Sequence, residues 1–149
     1  MEITYRPAGP EDMEFLYRLH ESAMRAAVEA AYGPWEEAWQ RDYFCKHFDP
    51  AVLQVIRVDG ADAGMLRVQE RTEECFLMDI EILPEFQRRG VGTQTIRGLI
   101  ERAQAQGKPV ALQVLKGNIA ARSLYQRLGF GVTGENETHY TMACEPRRF

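Results

Sequence analysis

Two hydrophobic periods alternate along this chain. Ile3 to Arg6 reads as a short edge strand, and then Phe15, Leu16, Leu19, Ala23, Ala26 and Ala30 recur on one helical face. Gly9-Pro10-Glu11-Asp12 starts that helix with proline at the first helical position and acids in the first turn. It is expected to run to about Ala31, where Tyr32-Gly33-Pro34 breaks it, and Trp35 to about Phe48 predicts a second helix ended by Asp49-Pro50. Val52 to Val58 predicts a strand, Asp59-Gly60 a type I′ hairpin turn, and Ala61 to about Arg71 the returning strand. Cys75 to Leu83 is polar only at Asp79 and Glu81, so it is expected to be a strand buried on both faces, stopped by Pro84.

A helical period returns at Val91 with Ile96, Leu99, Ile100 and Ala103, closed by Gly107 with Pro109 beyond. Val110 to Leu115 predicts a further strand. Strand, helix, strand in that order is a right-handed crossover that makes strands 75–83 and 110–115 parallel. Asn118 caps a short helix whose Ala121, Leu124, Tyr125 and Leu128 share a face, and Gly129 ends it. Phe130 to Thr133 and His139 to Ala143 complete the chain as two strands, with 145–149 expected as a loose tail. The order β-α-α-β-β-β-α-β-α-β-β is that of an α/β fold with a mixed sheet and helices on both faces, a single domain over 1–149.

Composition narrows the classes. No apolar run approaches the ~20 residues of a membrane span, and the first residues carry no basic-then-apolar signal, so neither membrane nor export is expected. Cys45, Cys75 and Cys144 have no ligand spacing, and His20, His47 and His139 none either. No disulfide and no metal are therefore expected, and a cytoplasmic location with reduced thiols fits. The net charge of −4 argues against a nucleic-acid partner. Residues 1–50 hold ten acids against five bases, while 51–149 hold twelve against thirteen. The first part thus suits a cationic partner, and the second an anion.

The anion has an evident place. In Gln87-Arg88-Arg89-Gly90-Val91-Gly92 a strand gives way to a helix whose first N–H groups lack internal partners. Two glycines there permit close approach to the backbone, and two arginines add charge. A phosphate or pyrophosphate is the natural guest. A dinucleotide fingerprint is excluded because Thr95 stands where a third glycine belongs, and a Walker loop because no lysine follows Gly92.

These residues resemble the GNAT N-acetyltransferase superfamily over nearly the whole chain. Gln87-Arg88-Arg89-Gly90-Val91-Gly92 matches the family's Gln/Arg-x-x-Gly-x-Gly/Ala motif, Ile82-Leu83-Pro84 its apolar-x-Pro strand end, and Asn118-x-x-Ala121-x-x-x-Tyr125-x-x-x-Gly129-Phe130 its second signature. The resemblance implies the GNAT acyl-CoA N-acyltransferase fold, with central parallel strands splayed apart, and acetyl-CoA as cosubstrate. It assigns the pyrophosphate to amides around Gln87, Arg88, Arg89, Gly90, Val91, Gly92 and Thr93. The pantetheine arm goes to backbone groups near Ile82 and Leu83, with Asn118 on its other side. It also allows a homodimer, a common state in the superfamily.

Transfer to an amine needs a base, because a lysine-like amine with a pKa near ~10.4 has no free lone pair when protonated. It needs a donor for the oxyanion, such as a backbone N–H near Ile82. It also needs an acid for the leaving thiolate, and Tyr125 stands at the family's position for it. Glu81 could be the base, directly or through water, and Asp79 lies two residues earlier on the same face. No cysteine sits in a motif position, so direct attack is expected. Tyr32, Trp35, Glu21, Arg25, His139 and Tyr140 are candidates for the acceptor site, with Trp35 equally a packing anchor. Where relatives acting on protein N-termini often carry Leu-Glu-Val, this chain has Leu112-Gln113-Val114, and Gln113 cannot serve as a base. A small-molecule amine is the expected acceptor, ahead of a protein lysine or N-terminus, or of a non-catalytic acyl-CoA-binding role.

Overall fold

A computed structural model describes residues 1–146. It contains seven strands, β1 Ile3–Pro7, β2 Leu53–Val58, β3 Ala61–Glu70, β4 Cys75–Ile82, β5 Val110–Leu115, β6 Gly131–Glu135 and β7 His139–Cys144. The helices are α1 Met13–Tyr32, α2 Glu37–Lys46, α3 Val91–Ala105 and α4 Ile119–Arg127. Strands are hydrogen-bonded in the order β1-β2-β3-β4-β5-β7-β6. Residues 147–149 of the expected tail lie outside the described residues, and β7 ends at Cys144 before them. Among the described residues no helix is long and apolar enough to cross a membrane.

Contacts gather into two units, the first formed by Met1–Arg67 with Asp79–Val91. There β1 pairs antiparallel with β2 from Ile3↔Val58 to Pro7↔Gln54, and β2 with β3. Asp59 and Gly60 turn the hairpin with φ of 50° and 83°, the two left-handed residues a type I′ turn demands. Leu16, Tyr17 and Leu19 of α1 pack with Trp35 and Phe44 on Leu53, Val55 and Met65. Each such side chain contributes roughly 1.5–3 kcal/mol on burial. Polar pairing fixes the join of α1 to α2: the Trp35 indole N–H donates to the Tyr17 hydroxyl at 3.3 Å, and that hydroxyl donates to Glu37 at 2.9 Å. The start of α1 is pinned by Asp12, whose carboxylate accepts from both terminal nitrogens of Arg6 at 2.9 Å and from the Gly9 N–H at 2.8 Å.

Val68–Met78 and the chain from Gly92 onward form the second unit. In it β4 and β5 are parallel, as the crossover requires, but their pairing covers only Cys75↔Val110, Phe76↔Ala111 and Leu77↔Leu112. This parting after three pairs is the splay of the fold class. On its other edge β5 pairs with β7 along its full length, from Val110↔Cys144 to Leu115↔His139. Helix α3 closes as expected, with the Gly107 N–H on the Gln104 carbonyl and the Lys108 N–H on that of Ala103, both at 2.9 Å.

Two expectations are corrected. β4 is not buried on both faces: Cys75, Leu77 and Glu81 are buried, whereas Met78 is 42 % exposed. The alternation has period two because most strand pairs in this sheet are antiparallel, and such strands need cover on one face only. The apolar stripe of α1 also stops short. Ala23, Ala26 and Ala30 are exposed, and alanine's high helix propensity holds that stretch without burial.

Candidate active site

The segment between β4 and α3 takes the form expected of an anion cradle. Pro84–Phe86 is one turn of 3-10 helix, after which Arg88 has φ 64° and Gly90 φ 82°. Left-handed residues of this kind bend the backbone into concave runs of N–H groups. Gln87 to Gly90 are exposed. No backbone carbonyl outside α3 among the described residues takes the N–H of Arg88, Arg89, Gly90, Val91, Gly92 or Thr93. A Cβ at Gly92 would have only Leu124 Cδ2 near it, at 3.7 Å, so the start of α3 is open.

At the end of β4 some backbone groups already have partners. The Gln87 side chain donates to the Ile82 carbonyl at 2.9 Å, the Leu83 N–H to the Ala63 carbonyl at 2.8 Å, and the Phe86 N–H to the Leu83 carbonyl at 2.9 Å. Gln87 therefore shapes the loop from within. Gly64 of β3 sits against the same stretch: a Cβ there would strike the Glu81 carbonyl oxygen and approach Ile82 Cδ1 to 3.0 Å. Only glycine lets the two backbones meet so closely.

Glu81 is the most buried acid in the first unit, its side chain 1 % exposed. His20 of α1 covers it, with Nδ1 2.6 Å from Glu81 Oε1 and 3.7 Å from Asp79 Oδ2. Burial pushes the Glu81 carboxyl up to about 7, against the pull of a hydrogen bond from Asp79 and the charge of Arg67. Burial and the neighbouring Glu81 charge hold Asp79 well above its ordinary value. Asp79 thus carries the proton and donates it to Glu81. Glu81 Oε2 itself is buried without a hydrogen-bond partner among the described residues. Burial lowers the His20 pKa, and the Arg67 charge adds to that, opposed by Asp79. The imidazole is therefore neutral at neutral pH, and where Glu81 is ionised its carboxylate takes the hydrogen bond from Nδ1–H.

Three side chains of metal-binding type meet here, their ligand atoms within 4.8 Å of one another. The positive charge that Arg67 places on the cluster disfavours a cation there. The arrangement is suited to handling protons.

His20 also lines a cavity of about 520 Å³ between α1 and α2, with Val28, Tyr32, Glu36, Trp39 and Tyr43 around it. Trp39 and Tyr43 stack at 5.2 Å, and both stand exposed at its mouth. Of the expected acceptor residues, Tyr32 is in this wall, whereas Trp35 is 7 % exposed and bonded to Tyr17, which makes it the packing anchor. Glu21 and Arg25 pair with each other at 3.3 Å on the outer face of α1. Trp39, Tyr43 and His20 were not among the expected acceptor contacts. His20 had a signal, because Leu16, Leu19 and His20 stand at i, i+3 and i+4 on the face that meets the core.

In the second unit Tyr125 is 8 % exposed, with its ring 5.7 Å from that of Phe130. Asn118 caps α4, its Oδ1 accepting from the Ala121 N–H at 3.2 Å. Gln113 is exposed on β5. His139 bonds to Thr138 at 2.7 Å, and Tyr140 carries Lys116 and Arg122 over its ring.

Comparison with known proteins agrees with this geometry. The family model described as "Acetyltransferase (GNAT) family" matches residues 14–130. The [ribosomal protein bS18]-alanine N-acetyltransferase of Salmonella typhimurium is 29% identical over 111 residues, 74% of this chain and 73% of that one. An L-methionine sulfoximine/L-methionine sulfone acetyltransferase of Pseudomonas aeruginosa is 44% identical over 48 residues, 32% of this chain and 28% of that enzyme. The crystal structure of PaiA N-acetyltransferase from Thermoplasma acidophilum in complex with coenzyme A superposes with a TM-score of 0.77 at 15% identity, covering 97% of this chain and 99% of that one.

Proposed function

Because the chain belongs to the acetyltransferase (GNAT) family, we propose that it transfers acetyl from acetyl-CoA to the primary amine of a small molecule. It is an acetyl-CoA-dependent N-acetyltransferase. The finer reading rests on the cavity between α1 and α2. Three aromatic side chains and Glu36 around about 520 Å³ suit a compact ammonium with an apolar body, through ring faces and one carboxylate. The Pseudomonas relative, named for acting on an amino-acid analogue, supports a small acceptor.

In this reading residues 1–149 work as one catalytic domain. The amides from Arg88 to Thr93 hold the diphosphate, with the Arg88 and Arg89 side chains beside it, and Gly90 and Gly92 admit it; the Gln87 N–H is taken by the Pro84 carbonyl at 3.2 Å. Ile82 and Leu83 on one side and Asn118 on the other guide the pantetheine arm. Glu81 is the centre of the base system, the Ile82 N–H steadies the oxyanion, and Tyr125 protonates the leaving thiolate. The nitrogen attacks the thioester carbon directly, a C–N bond forms, and the C–S bond breaks. Cys45, Cys75 and Cys144 form no disulfide, which supports a cytoplasmic location.

A panel of small primary amines and a peptide with an N-terminal alanine, each with acetyl-CoA, tests this by release of thiol. Transfer is expected to the amines, fastest to those with an aromatic or branched apolar body. Tyr125→Phe should lose turnover while keeping affinity for acetyl-CoA. The Salmonella relative makes the second reading specific: transfer to the peptide alone would replace the small-molecule acceptor by a protein N-terminus.

A further inference from the structure

We propose that His20 is the catalytic residue that takes the proton from the acceptor ammonium, with Glu81 as the residue that positions it. The proposal deepens the reading above and rests on it. Glu81 cannot meet an amine in the cavity itself, since its side chain is 1 % exposed and lies behind the imidazole. His20 meets both, lining the cavity while its Nδ1 stands 2.6 Å from Glu81 Oε1.

A neutral imidazole has one N–H and one lone pair. With the N–H on Nδ1 and given to Glu81, the lone pair is left on Nε2. The ring is held in place by Phe44 at 5.5 Å and Trp35 at 6.1 Å between centroids. The charged and titratable groups that face it are Asp79, Glu81 and Arg67 from the sheet, with Glu36, Tyr32 and Tyr43 around the cavity. The chemistry needs such a group: at neutral pH only about one lysine-like amine in 2,500 is unprotonated.

The protons balance. The ammonium gives one proton to His20 Nε2, and its freed lone pair makes the new C–N bond. As the C–S bond breaks, the electron pair leaves on sulfur, which takes the Tyr125 phenol proton. The second proton on nitrogen restores the phenol, and His20 sheds its own to water. The products are the amide, the free thiol and one proton.

The test compares wild type with His20→Asn and Glu81→Gln in acetyl transfer from about pH 6 to about pH 10. Asparagine reaches Glu81 as Nδ1 does but has no counterpart of Nε2, so His20→Asn keeps the buried contact and removes only the base. A loss of about 100-fold or more in kcat/KM is expected for amines that are charged at neutral pH, with acetyl-CoA affinity and the urea midpoint unchanged. The loss should shrink to a few-fold for an O-alkyl hydroxylamine, which arrives neutral. In wild type the rate should rise as pH passes about 7, where Glu81 ionises, and Glu81→Gln should flatten that rise. Equal activity of wild type and His20→Asn at every pH overturns the proposal alone. So does a loss as large for the hydroxylamine as for charged amines, or wild-type turnover that a chelator abolishes and Zn²⁺ restores. Wild type that acetylates no amine overturns it together with the function it rests on.

Discussion

Tyr17→Phe tests whether a polar knot holds the wall of the acceptor cavity. Tyr17 is fully buried, and burial holds its phenol above its ordinary pKa, so it stays a donor. The substitution removes one oxygen and with it two hydrogen bonds, to Glu37 and from Trp35. Their costs differ. Glu37 is 48 % exposed on its side chain, so water replaces the Tyr17 bond there. The Trp35 N–H lies in the core but keeps the Glu37 carboxylate, to which it is also bonded. The expected loss is therefore about 1 kcal/mol, the net worth of the Trp35–Tyr17 bond. Urea unfolding followed by circular dichroism should show a lower midpoint with an unchanged slope. In a Trp35→Phe background the same change should cost less, because only the bond to half-exposed Glu37 is then lost. An equal cost in both backgrounds, or none in either, refutes the argument.

Three further outcomes follow from the geometry. Gly92→Glu should abolish acetyl-CoA binding in calorimetry while the protein stays folded, since there is space beside Leu124 for the side chain but its charge falls at an anion cradle. Gly64→Ala should push the Glu81 backbone away from β3, lowering the melting temperature and slowing transfer more than it weakens acetyl-CoA binding. Arg6, and after it the Gly9 N–H, hold the Asp12 carboxyl below its ordinary value of 3.8 against the cost of burial. A depressed carboxylate stabilises the fold above the unfolded value and loses that stabilisation as pH falls through the folded one. The gap in urea midpoint between wild type and Asp12→Asn should therefore be full at neutral pH and close below about pH 4.

Much of the fold was legible in the sequence because its signals are local. Asp59-Gly60, Gly107 and the Pro84 stop each act within a few residues, and the structure has the turn, the helix end and the strand end at those places. The open start of α3 is equally local. The proton-handling cluster was legible only by half. Two acids in an apolar strand announce that something must accompany them, but the partner is 61 residues away. The clue to it, a histidine on the core face of α1, shows only when that face is read together with β4. Trp35 carries no sign of its role, because a tryptophan between two helices packs or recognises with the same composition. Gly64 reads as a weak strand residue until the neighbouring backbone is seen against it.

The bare alanines of α1 have a consequence for how such an enzyme changes its taste. Tyr32 rides beyond the last residue of α1 that packs on the core, Val28, so exchanging Tyr32 alters the cavity without unsettling what keeps the chain folded. Selection can thus retune the acceptor by small swaps at that end of the helix, while Leu16, Tyr17 and Leu19 carry the stability below.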